Sequence, residues 1–304
     1  MRILIIRPAA LGDTLMLAPA LSRSREWGEV IVAGRKPGID FLRPLVSGCL
    51  DFEGPGWHPL FMDGAEPGSS LPLREVDEVV AFLKDPQGIV RRNLKTFFQG
   101  ASIDVLPGYP AENEEVHVAL HLARAMAKSG LPVDAETVLK EATNRPLLLP
   151  EHRPRLRILF HPGSGGAQKN HPPDFWMNLV RIFREKTLGV KEMPVVLLGP
   201  AEETLLPLFS GEKEVEILLS PDVARLSLLL QEASLCVGHD SGITHLAAML
   251  GAPTIALFKH SSVALWRPLG PSVKVIEASA SSPELVEETL KAAHGFLNAS
   301  SRLW

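Results

Sequence analysis

The chain has 304 residues, 45% of them apolar and 22% charged, with 31 Lys and Arg set against 35 Asp and Glu for a formal net charge of −4. That length is a prior for two domains, each able to bury its own apolar core, and the composition excludes wholesale disorder and collagen-like repeats. A net negative charge offers no long-range attraction to a polyanion, so a general nucleic-acid binder is excluded as well.

The first apolar run, residues 3–6, stops at Arg7-Pro8 and is too short for a signal sequence or a membrane span. RILIIR reads as a strand, PAALGD as a turn-forming loop and TLMLAPALSRS as an apolar helix interrupted by Pro19. EVIVAG is a second strand, PGIDFLRPLV a helix opened by Pro37, and CLDFE a third strand. Residues 54–72, rich in Gly and Pro, read as a loop. VDEVVAFL is a strand, IVRRNLKTFFQG a helix with apolar residues at Val90, Leu94, Phe97 and Phe98, and SIDVLPG a strand. EEVHVALHLARAMAKSGLP follows as a long helix, its glutamates at the start and Gly130 at the C-cap. The polar stretch 132–155, with prolines at 146, 150 and 154, is the predicted linker.

The alternation then restarts. RILFHPG, MPVVLLGP, EVEILLS, LCVGHD, APTIALF and VKVIEA are strands, separated by helices DFWMNLVRIFREKTLG, AEETLLPLF, DVARLSLLLQEA and SGITHLAAMLG, the last of these stopped by Gly251. Pro283 opens a final helix whose apolar side carries Leu285, Leu290, Ala293 and Leu297. Alternation of this kind predicts two Rossmann-like α/β domains in series, with no internal repeat of solenoid period. Cys49 and Cys236 stand far apart, without CxxC or metal-ligand spacing, and read as buried thiols of a reducing compartment. Nowhere do 18 consecutive residues avoid charges and turn formers, so a cytoplasmic chain is expected, with peripheral attachment to a membrane surface left open.

Ligands of open α/β sheets bind at the carboxyl ends of strands, and three loops there carry chemistry. In Arg7-Pro8-Ala9-Ala10-Leu11-Gly12-Asp13, Asp13 stands at the mouth of a helix, and the plain alternative is an N-cap; GxGxxG is absent. In HPGSGGAQKNHP, the glycines 163, 165 and 166 around Ser164, followed by Lys169, suit a diphosphate: backbone N–H groups can approach an anion closely and the ammonium neutralises it. The alternative is a Gly-rich surface turn. In VGHDSGITHLAAMLG, Asp240-Ser241-Gly242 enter a helix N-terminus that favours anions, with His245 on the same turn, or else Asp240 merely caps that helix. P-loop spacing, DxD, a GxSxG elbow and a His/carboxylate metal cluster are all missing, so no metal is predicted. Arg91, Arg92 and Lys95 line the polar side of their helix, where they could meet an acidic acceptor or lipid headgroups or simply form a solvated face; His117 and His121 lack the further ligands of a zinc site.

RPAALGDTLMLAPAL, HPGSGGAQKNHPPDFW and VGHDSGITHLAAMLGAPTIALF together resemble glycosyltransferase family 9, the ADP-heptose:lipopolysaccharide heptosyltransferases. The resemblance implies a GT-B fold, with two Rossmann-like domains facing across a cleft. Residues 1–150 would bind the acceptor, residues 151–304 the nucleotide sugar, and the last helix could pack back on the first domain. It further implies an inverting transfer without a metal or resident cofactor, moving a heptose or related sugar from an ADP-sugar to a lipopolysaccharide-core-type acceptor, lipid-linked or oligosaccharide. Asp13 would then be the general base. Ser164, Gly165, Gly166 and Lys169 would hold the donor diphosphate, Lys169 also aiding its departure, and Asp240, Ser241, Gly242 and His245 would form the second donor loop. Glu203 falls where the family often has an acid near the ribose, and Arg7, Arg91, Arg92 and Lys95 would lie on the acceptor side. One departure stands out: the family usually has Trp-Pro soon after the lysine, where this chain has His171-Pro172. A nucleotide-sugar epimerase or hydrolase of the same fold, and a non-catalytic nucleotide-binding module, are the two other classes the pattern accommodates.

Overall fold

The computed structural model describes residues 1–64, 70–148, 155–186, 194–212 and 215–301. The chain divides into two compact units, Met1–Glu141 and Ala142–Trp304, so residues 142–148 group with the second. One cause is visible: the N–H groups of Leu147 and Leu148 donate to the carbonyl of Met249.

The first unit is built from β1 (Arg2–Arg7), α1 (Leu11–Leu15), α2 (Ala18–Leu21), β2 (Glu29–Gly34), α3 (Gly38–Leu42), β3 (Gly48–Asp51), β4 (Glu78–Phe82), α4 (Ile89–Phe97), β5 (Ser102–Leu106), α5 (Val118–Lys128) and most of α6 (Ala135–Asn144), which runs across the boundary between the units. Its five strands are all parallel, in the order β3-β2-β1-β4-β5. Residues 3–6 of β1 and 79–81 of β4 are inaccessible to solvent. Strands covered on both faces read as continuous apolar runs, which is why these were visible in the sequence.

Four expectations are corrected here. Helix α1 already starts at Leu11 with Ala10 as its N-cap, so Asp13 lies inside the first turn and is not the cap. The long helix expected from Glu114 begins only at Val118, where the His117 ring accepts from the N–H of Ala119 and closes the N-terminus, leaving both glutamates outside. Within the predicted linker stands α6, whose exposed face had hidden its apolar period; residues 149–154 of that linker, like 65–69 of the Gly/Pro loop, lie outside the described residues. Finally, Cys49 is only half-buried, its Sγ 3.2 Å from the carbonyl of Ile39, while Cys236 is buried as expected.

The second unit contains β6 (Arg155–His161), α7 (Pro173–Lys186), β7 (Val195–Leu198), α8 (Leu206–Phe209), β8 (Glu216–Leu219), α9 (Val223–Gln231), β9 (Ala233–His239), α10 (Gly242–Met249), β10 (Thr254–Phe258), α11 (Val263–Trp266), β11 (Val273–Glu277) and α12 (Pro283–Ser301). Its six parallel strands run β11-β10-β9-β6-β7-β8. Counted within the unit, this is the doubly wound order in which the chain starts at the middle and winds outward in both directions. Pro283 opens α12 as predicted, and the helix buries Leu285, Val286, Leu290 and Ala293 in the apolar core of its own unit, together with Phe160, Trp176, Phe183 and Val237. Gly130 and Gly251, predicted C-caps, take φ of 98° and 90°. No helix among the described residues is long and apolar enough to cross a membrane.

Candidate active site

In each sheet the strand order reverses once, beside β1 in the first unit and beside β6 in the second. Main-chain loops diverge at such a switch point and open a crevice at the carboxyl ends of the strands. The charged loops singled out in the sequence all leave strands at these two points.

In the second unit the loop after β6 meets the loop after β9. Lys169, at the end of a 3₁₀ turn, donates from Nζ to Asp240 Oδ2 at 2.7 Å, and His245 Nε2 lies 3.2 Å from Asp240 Oδ1. Burial works to raise the Asp240 carboxyl, but the contacts with His245 and Lys169 outweigh it and hold the group well below the usual carboxylate range. Asp240 is 5% exposed and Lys169 41%, so the ammonium is anchored at one edge and open at the other. Ser241, not Asp240, is the N-cap of α10, accepting from the N–H of Thr244 at 3.3 Å. Capping uses one first-turn N–H and leaves the others for an anion.

Ser164 differs from expectation. Its Oγ lies 2.6 Å from Asn170 Oδ1 and 3.0 Å from the carbonyl of Gly166 and accepts from the N–H of Gly166 at 3.3 Å, so the hydroxyl fastens its own loop and ties up the Gly166 N–H as well. Glu203 is exposed, whereas the adjacent Glu202 is buried, with Oε2 accepting from the N–H of Gly199 at 2.9 Å. Glu202 also packs on Gly163 so closely that a Cβ there would collide with its carboxylate. The acid that reaches the glycine loop is therefore Glu202. Sequence reading also missed Lys259, which leaves the carboxyl end of β10 and donates to the carbonyl of Asn170 at 3.2 Å. The signal was its place just after a strand. Under this loop His171, in the aromatic position, donates its backbone N–H to His239 Nε2 at 2.8 Å, stacks on the His239 ring and lies tilted against Phe175, while Trp176 meets His239 edge-on. Burial pushes the His171 imidazole down to about 4 and that of His239 to about 3.

In the first unit Asp13 joins Arg7 and Tyr109. The phenol of Tyr109 donates to Asp13 Oδ1 at 2.8 Å, and Arg7 Nη2 stands 4.0 Å from the same oxygen. Arg7, expected to face the acceptor, is 2% exposed and turned inward: Nε donates to the carbonyl of Asp13 and Nη1 to that of Gly108, each at 3.0 Å. Desolvation lowers the guanidinium's pKa, while the neighbouring Tyr109 and Asp13 raise it. Tyr109, the chain's one tyrosine, carried no sequence signal beyond following the last strand of its sheet. Arg91, Arg92 and Lys95 lie on the outer face of α4, with Arg91 3.9 Å from Asp104 and Arg92 3.3 Å from Asp63. His117 caps its helix and His121 lies 3.0 Å from the carbonyl of Pro107. Among the described residues no group of three or more His, Cys, Asp or Glu could hold a metal ion.

Two parallel-sheet units of Rossmann type, each with a charged loop at its switch point, are the layout of a GT-B fold. Residues 83–294 match the family model of glycosyltransferase family 9 (heptosyltransferase), and the chain belongs to that family. Lipopolysaccharide heptosyltransferase 1 of Pseudomonas aeruginosa is 24% identical over 297 residues, spanning 85% of this chain and 78% of its own. Among solved structures, a family 9 glycosyl transferase from Veillonella parvula matches with a TM-score of 0.70 at 16% identity, over 98% of this chain and 97% of that one. The E. coli heptosyltransferase WaaC with ADP matches with a TM-score of 0.65 at 17% identity, over 96% and 100% of the two chains.

Proposed function

We propose that this glycosyltransferase moves a heptose, or a closely related sugar, from an ADP-sugar to an acceptor of the lipopolysaccharide-core type, with inversion and without a metal. The choice of donor and acceptor is supported by the names of its relatives, a lipopolysaccharide heptosyltransferase and a heptosyltransferase bound to ADP. The observation that carries the chemistry is the contrast between a carboxylate hydrogen-bonded by a neutral phenol, Asp13, and an ammonium anchored beside a helix N-terminus, Lys169. In the reaction the acceptor hydroxyl gives its proton to Asp13 as its oxygen bonds to the anomeric carbon. The bond from that carbon to the diphosphate oxygen breaks, and the ADP leaves with the electron pair. General-base assistance lowers the barrier at one end, and Lys169 with the free N–H groups of α10 stabilises the charge at the other. Glu202 and the Gly165 backbone would hold the rest of the nucleotide.

The test is transfer from ADP-heptose to a lipopolysaccharide-core acceptor by wild type and Asp13→Asn, with chelator present. Wild type should transfer, and Asp13→Asn should lose on the order of 10²- to 10⁴-fold in turnover while binding ADP normally and melting at the same temperature. Donor breakdown with no acceptor present would move the chain to the epimerase or hydrolase class. ADP binding without turnover of any kind would make it a binding module, and wild-type turnover by Asp13→Asn would remove the base assignment.

A further inference from the structure

A carboxylate acting as base needs one oxygen directed at the acceptor hydroxyl, and a freely rotating aspartate spends much of its time elsewhere. Near Asp13 two donors compete for that carboxylate. One is the phenol of Tyr109, already bonded to Oδ1 at 2.8 Å. The other is Arg7 Nη2, a buried N–H group without a hydrogen-bond partner that stops 4.0 Å short of the same oxygen. An unsatisfied buried donor on a cation is costly, so Arg7 would gain by capturing the carboxylate outright. It does not, although its guanidinium is placed to do so.

The reason lies in how the tyrosine is held. Arg7 Nη1 grips the carbonyl of Gly108, the residue before Tyr109, and the guanidinium carbon sits 5.2 Å from the centre of the phenol ring. Glycine is required at 108 because a Cβ there would stand 2.5 Å from Nη1 of an arginine with no room to retreat. The same arginine thus fixes the main chain of Asp13, through Nε, and the loop that presents the phenol, through Nη1. Burial, and then the charge of Asp13, push the tyrosine up to about 12, so it stays protonated and a hydrogen-bond donor throughout the neutral range and acts as neither base nor acid.

We propose that Tyr109 is a positioning residue for the transfer: its phenol occupies Asp13 Oδ1, keeps the carboxylate off Arg7 and leaves Oδ2 as the proton-accepting atom. The inference rests on Asp13 being the base. A phenol in this role is neutral, so it orients the carboxylate without the strong loss of basicity that a direct ion pair with arginine imposes.

The experiment is steady-state transfer as a function of pH by Tyr109→Phe, with Gly108→Ala as the second variant. The ring of Tyr109 is 45% exposed, so Tyr109→Phe should fold and bind ADP like wild type. Its kcat should fall on the order of 10- to 100-fold, the penalty of a misdirected group, with KM for the donor unchanged. The acid limb of its kcat profile should move to lower pH, because the released carboxylate pairs with Arg7. Gly108→Ala, whose Cβ presses on Arg7 Nη1 and so disturbs the grip that holds the loop presenting the phenol, should also lower kcat with KM for the donor unchanged. In the Asp13→Asn background Tyr109→Phe should add nothing, since it acts only through Asp13. An unmoved kcat and acid limb, an upward shift of that limb, or an additive loss in the double variant would overturn the inference with the base assignment intact. Full turnover by Asp13→Asn overturns the base assignment itself, whatever Tyr109→Phe does.

Discussion

Asp13 and Asp240 occupy comparable places, each a few residues past a strand at the switch point of its sheet, Asp13 in the first turn of α1 and Asp240 just before α10, yet their surroundings differ in kind. Asp240 is nearly sealed from solvent, with Lys169 on one oxygen and His245 on the other. Asp13 keeps 23% of its side chain exposed, meets a neutral phenol on one oxygen, and has its nearest cation held at 4.0 Å. The first is an anchor: protonating it would require giving up two partners. Among the described residues, the second has no cation in hydrogen-bond contact with its carboxylate. Sequence position alone makes the two look alike, and the number of cations pinned to each separates them.

The largest test of this contrast is acid. Imidazoles of His161, His171 and His239 are all depressed by burial in the second unit, to about 4 for His171 and about 3 for His239. Between the unfolded value near 6.5 and these folded values the unfolded state binds more protons, so stability falls as pH falls, by up to ~1.4 kcal/mol per pH unit for each imidazole. The histidines of the first unit, His58, His117 and His121, are not buried. Amide exchange followed from pH 6.5 to 4.5 should therefore show β6, α7 and β9 opening before β1 and β2; simultaneous opening would dissolve the distinction.

Next in size is Asp240→Asn, which removes the charge that Lys169 and His245 share. Charge-assisted hydrogen bonds of this kind are worth ~1.5–3 kcal/mol, so urea unfolding should register a loss of about 2 kcal/mol after allowing for the half-exposed lysine. Asp13→Asn should stay within ~0.5 kcal/mol of wild type in the same assay. Equal losses would mean that both aspartates are anchors. The smallest effect is that of Lys169→Ala on ADP affinity, about 10-fold by calorimetry. Lysine removal should cost less in the Asp240→Asn background, since the two act as one unit; strict additivity would show that the pair does not matter to the donor site.

Much of this was legible in the sequence for a physical reason. Strands buried on both faces appear as unbroken apolar runs, and the loops that follow them are where an α/β sheet places its ligands, so Asp13, Lys169, Asp240 and His245 could be picked out one at a time. What stayed hidden is whatever depends on a distant partner. Tyr109 reaches Asp13 across 96 positions and Lys169 reaches Asp240 across 71. Neither separation has a local signature, and the Arg7 side chain could be sent toward solvent as readily as inward until Gly108 was seen beneath it. Local rules failed at helix ends for a related reason: His117 took the cap that the glutamates before it seemed to announce.

The close packing of Gly163 on Glu202 ties two distant positions into one heritable unit. A methyl at 163 cannot enter while the glutamate occupies that space, and a shorter residue at 202 leaves the N–H of Gly199 without its acceptor. Each change carries a cost set by the residue at the other position, so drift at the two sites is coupled. In descendants of this chain the two positions should be inherited as a pair, and a lineage that has lost the glycine should carry a smaller residue at 202 as the record of how it did so.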